Sequence, residues 1–443
     1  MKTNPKHPSG IQTFSSRIGF VLASVGSAVG MGNIWMFPYR LGQYGGAAFL
    51  IPYLFFILLF GTVGLSAEFA LGRLTRTGPI GSYDYALRSR GKKYGKWLGV
   101  IPLAGSLGIA IGYAVIVGWV LRAAAGALTG ELLQKDSQVF FDAATGHLGS
   151  VGWHTAVVVT VVLILLGGVA KGIEKMNKIM MPAFFILFLI IAVRVAMLPG
   201  AIEGYRYLLV PDWSKLLEKD TWVMAMGQAF FSLSITGSGM IIYGSYLSKK
   251  EDIVRASLVT AGLDTLAAML AGAAIIPAVF AFNLPPASGP PLMFITLPKV
   301  FEQMPLGRGI ALLFFVSVFF AGITSLMNMF EVCAEAIQTH LHQSRRTAVC
   351  ITGALVLAVG IFLEAEPVVG GWMDIITIYI VPFGALLCAV IIYWVLGPEK
   401  IGEELNTGRP RPLKKWFYIT ARYIYIPLAA VVLILGIVYQ GIG

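Results

Sequence analysis

Two clusters of small and polar residues interrupt long apolar segments of this sequence. The first is Gly26-Ser27-Ala28-Val29-Gly30-Met31-Gly32-Asn33, and the second is Phe231-Ser232-Leu233-Ser234-Ile235-Thr236-Gly237-Ser238-Gly239. Glycine weakens a helix, and backbone groups that a broken helix frees at membrane depth need other partners. Carbonyl oxygens and N–H groups at such a break can bind a polar substrate and its coupling ions. Close packing of helices through small residues is the alternative explanation for each cluster.

The composition places both clusters in a membrane protein. Of the 443 residues, 57% are hydrophobic and 12% are charged, and the mean hydropathy is +0.78. A helix needs about 20 residues to cross the hydrocarbon layer. Eleven segments meet this length, near 16–39, 46–72, 97–127, 152–169, 174–198, 221–247, 255–282, 303–340, 347–363, 372–396 and 417–440.

The basic residues predict the orientation of these spans. Lys2, Lys6 and Arg17 precede the first span, and a larger basic group fills the connection after the second span. The positive-inside rule makes these regions cytoplasmic, and an odd number of spans puts the C-terminus outside. The net charge of +11 is explained by topology and anionic-lipid contacts. No nucleic-acid partner is expected, and the oligomeric state stays open.

The two interruptions lie in spans one and six, which are five spans apart. If spans 1–5 and 6–10 are repeats, the odd number of spans inverts the second copy, and the interruptions occupy corresponding positions. This matching favours broken helices over simple close packing. The predicted organisation is a cytoplasmic tail (1–15), a first inverted repeat (16–200), a second inverted repeat (201–396), and a cytoplasmic connection with span eleven (397–443).

The chain resembles the neurotransmitter:sodium symporter family, and within it the bacterial members with the leucine-transporter fold, over nearly its whole length. The resemblance rests on the sequence from Gly26 to Trp35, Gly45-Gly46, Ile51-Pro52-Tyr53, Glu68 with Gly72-Arg73, the run from Gln228 to Ser234, Asp252-Ile253-Val254, and Ala321-Gly322-Ile323-Thr324-Ser325. It implies an all-α polytopic membrane protein with a 5+5 inverted repeat. It also implies a sodium-coupled amino-acid symporter that works by alternating access, in the plasma (inner) membrane of a prokaryote.

The resemblance implies a site for an amino-acid zwitterion. N–H groups near Met31 and Gly32 would face the substrate carboxylate at the positive end of a half-helix, with the Tyr113 phenol as a further donor. Tyr113 could also be a packing tyrosine. The implied substrate-binding residues are Ala28, Gly30, Met31, Gly32, Ile109, Tyr113, Phe231, Ser232, Ser234, Gly237, Ser325 and Met329.

Two of these positions indicate the class of substrate. Relatives that carry amines without a carboxylate have an aspartate where this chain has Gly30, so the substrate is expected to supply the negative charge itself. Gly237 takes a position that is often phenylalanine, which predicts a roomy pocket for neutral, bulky aliphatic or aromatic amino acids. Thr236 and Ser238 leave a more polar substrate open.

The resemblance also implies two sodium sites. The first would use Ala28, Asn33, Ser232 and Asp264 together with the substrate carboxylate, and the second would use Gly26, Val29, Ala321, Thr324 and Ser325. A carboxylate at the centre of a span is costly, which makes Asp264 a functional candidate. Chloride-using relatives carry asparagine there and a serine one turn later, where this chain has Ala268. We therefore expect sodium as the coupling ion and no chloride.

Several residues depart from the family pattern. Met36 stands where an arginine usually forms the outer gate with an aspartate, for which Asp374 is the nearest candidate. On the cytoplasmic side Ile11, Phe14 and Thr339 replace the usual arginine, tryptophan and aspartate. Because both members of the cytoplasmic pair are lost together and Met36 is apolar, we expect gating by apolar packing. The missing charges also allow a second hypothesis, a sensor of the same fold that binds amino acids without transporting them.

Other polar positions have structural interpretations. Glu68 and Gln228 are expected to form a hydrogen-bond network beside the site, and no role is predicted for Glu331 and Glu335. Gly172 and Pro182 are separated by nine residues, a pattern that permits local unwinding in this family but also fits a loop end followed by a proline kink. An enzyme is not expected, since no cluster of catalytic side chains stands out in the spans.

Overall fold

The computed structural model describes residues 13–284 and 289–442, and this part of the chain is helical with no β-strand. Thirteen helices account for the predicted spans. They are α1 Arg17–Ala28, α2 Gly32–Gln43, α3 Gly46–Thr75, α4 Gly95–Thr129, α5 Val151–Leu166, α6 Val169–Ala196, α7 Lys219–Ser232, α8 Gly239–Ser245, α9 Ile253–Ala281, α10 Gly307–His340, α11 Arg345–Leu363, α12 Glu366–Asn406 and α13 Lys415–Val438.

Nine of the eleven predicted spans are evident from length and apolar composition alone. In the described residues eight helices are long enough to cross a membrane, and the bent pair α1–α2 makes a ninth span. The other two spans are α5, which has 16 residues, and the pair α7–α8. The predicted fold class, with discontinuous first and sixth spans, is confirmed.

The first break lies between α1 and α2. Val29 is extended, with a ψ of 115°, and the helix resumes at Gly32 with a bend of 60°. Asn33 stabilises this turn because its Oδ1 accepts a hydrogen bond from the Gly30 N–H at 3.0 Å. The extended residue exposes backbone groups of residues 28–31 to the space between the helices.

The second break, between α7 and α8, contains two residues with left-handed backbone, Ser234 (φ 51°) and Gly237 (φ 73°). Glu68 on α3 accepts a hydrogen bond from the Gly237 N–H at 2.8 Å. A buried carboxylate thus satisfies a donor that the interrupted helix leaves without an intrahelical partner. This contact is of the structural kind that the sequence predicted for Glu68.

Arg73, a residue of the family motif at the end of α3, is a buried cation. Its side chain is fully buried and pairs with Glu404, and its Nη1 donates to the Glu251 carbonyl at 2.7 Å. A buried guanidinium needs several acceptors, and here they come from connections on the predicted cytoplasmic side. Arg73 therefore joins the end of α3 to those connections.

Aromatic packing closes the predicted cytoplasmic ends of the helices. Phe14 is 7% exposed, and its ring meets those of Phe20 and Tyr243 edge-on at 5.5 and 5.7 Å between centroids. Its N–H donates to the Tyr246 carbonyl at 3.2 Å. These contacts support gating by apolar packing. Ile11, the other predicted departure near the N-terminus, lies outside the described residues.

The two glutamates without a predicted role are hydrogen-bonded beside this packing. Glu331 accepts two hydrogen bonds from Arg345, at 2.9 and 2.8 Å, and one from the Tyr246 hydroxyl at 2.6 Å. Glu335 accepts from Thr77 and Thr339, each at 2.8 Å. The predicted cytoplasmic end of α10 is thus held by hydrogen bonds beside the aromatic packing.

Candidate substrate and sodium sites

A cavity of about 630 Å³ lies between the two helix breaks. It extends from residues of both breaks to Glu366 and Asp374 at the predicted outer end of α12. Every predicted substrate-binding residue except Gly237 lines it. These residues are Ala28, Gly30, Met31, Gly32, Ile109, Tyr113, Phe231, Ser232, Ser234, Ser325 and Met329.

Gly237 faces away from the cavity. A Cβ at this position would lie 2.6 Å from the Gly384 carbonyl oxygen and 2.9 Å from the Tyr83 hydroxyl. Its positive φ turns the chain toward α3 and α12, so the residue serves the backbone turn and does not enlarge the pocket. Gly237 is not among the residues that line the cavity, where Ile235 and Thr236 lie instead, and its contact with the substrate stays a prediction.

Hydrogen-bond donors meet at the start of α2. The Met31 N–H donates to the Tyr113 hydroxyl oxygen at 3.1 Å. Since the phenol oxygen accepts this bond, its own hydrogen stays available for another acceptor. A Cβ on Gly30 would lie 2.9 Å from the Tyr113 oxygen, so an aspartate fits there only if Tyr113 moves. This end of the cavity suits an anionic group on the ligand.

Acceptor oxygens come from the ends of α1 and α7. The Ser234 hydroxyl donates to the Ser27 carbonyl at 3.0 Å, and the Ser234 N–H donates to the Phe231 carbonyl at 3.0 Å. Each of these oxygens keeps a lone pair that can accept a further hydrogen bond. A cationic group on the ligand would therefore find acceptors a short distance from the donors at Met31.

Three of the predicted first-site sodium ligands are in direct contact. Asn33 Nδ2 donates to Asp264 Oδ1 at 2.8 Å, and the Ser232 hydroxyl donates to Asp264 Oδ2 at 2.5 Å. Asp264 is fully buried. Carboxylate, hydroxyl and amide oxygens suit a hard cation. To coordinate one, the Asn33 amide must rotate so that Oδ1 rather than Nδ2 faces Asp264.

The residues predicted for the second sodium site also meet. The Ser325 hydroxyl lies 3.2 Å from the Gly26 carbonyl oxygen and 3.0 Å from the Val29 carbonyl oxygen. Thr324 Oγ1 lies 3.0 Å from the Ala321 carbonyl oxygen. Two hydroxyls of α10 and the released carbonyls of α1 thus form a set of neutral oxygens, as sodium binding at a broken helix requires.

A buried arginine lines the outer part of the cavity together with Met36 and Asp374. Arg40 is 8% exposed, and its Nη1 donates to Gln228 Oε1 at 3.0 Å and to the Ile442 carbonyl at 2.8 Å. The sequence reasoning missed this residue. The sequence could have revealed Arg40 through its spacing of four residues from Met36, because this spacing places both side chains on one face of a helix.

Comparison with known proteins identifies the family. A profile of the sodium:neurotransmitter symporter family matches residues 11–142 and 137–441. The chain belongs to this family. It is therefore a multi-pass membrane protein of a sodium-dependent transporter family, a family of symporters rather than of enzymes.

Individual relatives match over almost the whole chain. A sodium-dependent transporter of Bacillus subtilis is 33% identical, over 96% of this chain and 97% of the relative. The sodium-dependent dopamine transporter of Bos taurus is 26% identical, over 93% of this chain and 67% of the relative. The crystal structure of MhsT in complex with L-phenylalanine superposes with a TM-score of 0.84 at 33% identity, covering 96% of this chain and all of MhsT.

Proposed function

We propose that this symporter imports neutral amino acids with bulky aliphatic or aromatic side chains, driven by sodium. The observation that carries the proposal is the donor group beside Gly30, where the Met31 N–H, just before α2, donates to the Tyr113 hydroxyl at 3.1 Å and leaves the phenol hydrogen free. Donors at this point recognise a carboxylate, which amino acids have and amines such as dopamine lack. Acceptors at Ser27, Phe231 and Ser234 recognise the ammonium group.

The apolar part of the cavity supports a bulky side chain. Ile109, Phe231 and Met329 contribute apolar surface next to the two breaks. The family member MhsT was crystallised with L-phenylalanine, which agrees with a pocket of this character. Thr236 also lines the cavity, so serine and threonine belong among the amino acids to be tested.

The proposed ion coupling uses two sodium ions and no chloride. Asp264 supplies a fixed negative charge next to Asn33 and Ser232, and Ala268, one turn later, has no group that could hold an anion. A sodium ion bound at Asp264 would share the Ala28 carbonyl and the carboxylate with the substrate. We further propose a plasma membrane location, a cytoplasmic N-terminus and an outer C-terminus.

Uptake in proteoliposomes tests the whole proposal. A panel of radiolabelled amino acids is offered under an inward sodium gradient, under choline, and under sodium gluconate without chloride. We expect uptake of phenylalanine, leucine or a similar substrate that needs sodium and is unchanged in gluconate. Loss of uptake in gluconate would overturn chloride independence. Sodium-dependent binding without any counterflow would instead identify the protein as a sensor.

A further inference from the structure

A buried amide on α6 has an oxygen that no mechanism described so far uses. Asn177 is fully buried, and its Nδ2 donates to the Ile173 carbonyl one turn earlier, at 2.9 Å. Its Oδ1 has no hydrogen-bond partner within the described part of the chain. Buried polar atoms are nearly always satisfied, so this oxygen needs an explanation.

The unpartnered oxygen points at the second sodium site. A Cβ on Gly26 would lie 2.1 Å from Asn177 Oδ1 and 3.2 Å from Thr324 Oγ1. The amide oxygen is therefore packed against the α carbon of Gly26, on the side that faces Thr324. Gly26 and Thr324 are two of the five predicted ligands of the second sodium ion, one on α1 and one on α10.

A second contact shows that this face of α6 lies along the site. Met181, one turn after Asn177, has its sulfur 3.7 Å from Thr324 Oγ1. Asn177 and Met181 are four residues apart and share one face of the helix. The sulfur is a weak acceptor, whereas an amide oxygen is a hard ligand of the type that sodium prefers.

A purely structural role does not account for the oxygen. The amide could be present only to donate to the Ile173 carbonyl, but a buried acceptor without a partner costs about 1–3 kcal/mol. A leucine has nearly the same shape and avoids that cost. The polar side chain is therefore better explained by a ligand that reaches Oδ1 in part of the transport cycle.

We infer that Asn177 is a sodium-binding residue, whose Oδ1 adds an oxygen from α6 to the second sodium site. The inference rests on the proposed sodium coupling. Asn177 lies in the segment between Gly172 and Pro182. α6 begins with a π-helical turn, Val169–Glu174, which overlaps the start of this segment. Glu174 also holds the start of α1, because it accepts hydrogen bonds from the Ser15 N–H and hydroxyl at 2.6 and 2.7 Å. Loosening of α6 would thus remove one sodium ligand.

The test is a sodium titration of the purified protein without substrate. Binding of radioactive sodium and the melting temperature are the two measurements. Asn177→Leu removes the oxygen and keeps the shape, and Asn177→Asp keeps an oxygen and adds charge. Thr352→Val is the matched control, since Thr352 is also buried and bonds to a carbonyl one turn earlier, at 3.0 Å on α11. We expect Asn177→Leu to raise the half-saturating sodium concentration about tenfold, about 1.4 kcal/mol, and Asn177→Asp to keep or lower it.

The possible outcomes separate this inference from the proposed function. If wild type responds to sodium and Asn177→Leu responds equally, Asn177 is a structural residue and the inference is wrong. A wild-type protein that does not bind sodium would overturn the proposed coupling itself. If Asn177→Leu does not fold, hydrogen exchange of residues 172–182 in wild type decides: slower exchange in sodium supports the inference, and unchanged exchange overturns it.

Discussion

In the proposed function, Tyr113 is the residue on which substrate recognition depends most directly. Its oxygen accepts the Met31 N–H, which leaves its hydrogen for the substrate carboxylate. We predict that Tyr113→Phe weakens amino-acid binding by about 10- to 150-fold, because a hydrogen bond to a charged group contributes about 1.5–3 kcal/mol. Sodium-dependent binding of the radiolabelled substrate measures this change.

Tyr393→Phe is the control for this substitution. Tyr393 is equally buried, and its hydroxyl donates to the Val63 carbonyl at 2.8 Å, but the residue does not line the cavity. We expect this variant to bind substrate normally. Normal binding by Tyr113→Phe would contradict the role of Tyr113 and would favour the alternative of a packing tyrosine.

In the proposed first sodium site, Asp264 is the residue expected to determine the affinity for sodium. Its carboxylate already gathers Asn33 and Ser232, and its charge attracts a cation strongly in a buried setting. We predict that Asp264→Asn raises the half-saturating sodium concentration for substrate binding by about tenfold or more, about 1.4 kcal/mol per factor of ten. Sodium titration of substrate binding tests this.

The exposed Asp212, whose carboxylate accepts hydrogen bonds from the Ser214 N–H and hydroxyl, provides the control variant Asp212→Asn. Its sodium dependence should match that of wild type. A sodium titration of Asp264→Asn that overlaid the wild-type curve would remove Asp264 from the first site and leave its burial unexplained.

At the residue scale, the sequence predicted which residues line the cavity better than it predicted the orientation of their polar groups. The order of motifs locates Asn33 and Asp264 in the same site, but only packing shows that the Asn33 amide directs its nitrogen to the carboxylate. The sequence could not show that Gly237 lies outside the cavity lining, because the direction of a residue with positive φ depends on the turn around it. Arg40 was missed because attention fell on the substituted position, Met36, rather than on the next turn.

At the scale of the elements, the second helix break depends on a glycine whose role is conformational. At Gly237, with φ 73°, alanine would have to adopt left-handed backbone, which costs about 1–2 kcal/mol. Its methyl group would also meet the Gly384 carbonyl. We predict that Gly237→Ala lowers the melting temperature of the detergent-solubilised protein and impairs substrate binding.

Gly262 on α9 offers the matched control. No atom lies within 4 Å of a Cβ placed there, and the residue is exposed. Gly262→Ala should leave the melting temperature unchanged or raise it, since alanine favours a helix by about 0.5–1 kcal/mol. Equal effects of both substitutions would mean that the break tolerates ordinary backbone.

The positive charge of α2 lies at Arg40, one turn after Met36, the position where the family usually has an arginine. Arg40 binds neutral oxygens of Gln228 and Ile442, while Met36 contributes apolar surface to the cavity. We predict that Met36→Arg lowers the transport rate, because it places two like charges four residues apart on one helix. Met36→Leu should transport normally. A large gain in rate for Met36→Arg would show that this chain has a defective gate.

The sequence predicted the number and order of the spans because hydrophobic length is a local property. It was less informative where tertiary contacts decide the ends of helices. α5 has only 16 residues, and α12 continues to Asn406, ten residues beyond the predicted end of the tenth span, where Glu404 meets the buried Arg73. The boundaries of the two inverted repeats stay a prediction.

For the whole molecule, the two ends of the cavity differ in the way that alternating access requires. The lining reaches the predicted outer ends of the helices at Glu366 and Asp374, whereas Phe14 is packed among aromatic rings at the cytoplasmic ends. The cytoplasmic contacts combine this packing with the hydrogen bonds of Glu174, Glu331 and Glu335. Opening on that side would have to break the contacts of Ser15 with Glu174 on α6 and of Phe14 with Tyr243 on α8.

The proposed first sodium site would link sodium binding to substrate binding in the whole molecule. If the Ala28 carbonyl and the substrate carboxylate both belong to the first sodium site, each ligand must raise the affinity for the other by the same factor. We predict that saturating sodium strengthens substrate binding by about 5- to 150-fold, the usual range of such coupling. Saturating substrate must then lower the dissociation constant of sodium at this site by an equal factor. Titration of each ligand in the absence and presence of the other measures both factors, with Asp264→Asn as the variant in which both should shrink together. Sodium that strengthens substrate binding in wild type and in Asp264→Asn by the same factor would place the coupling at the second site, on Thr324 and Ser325, rather than at the first.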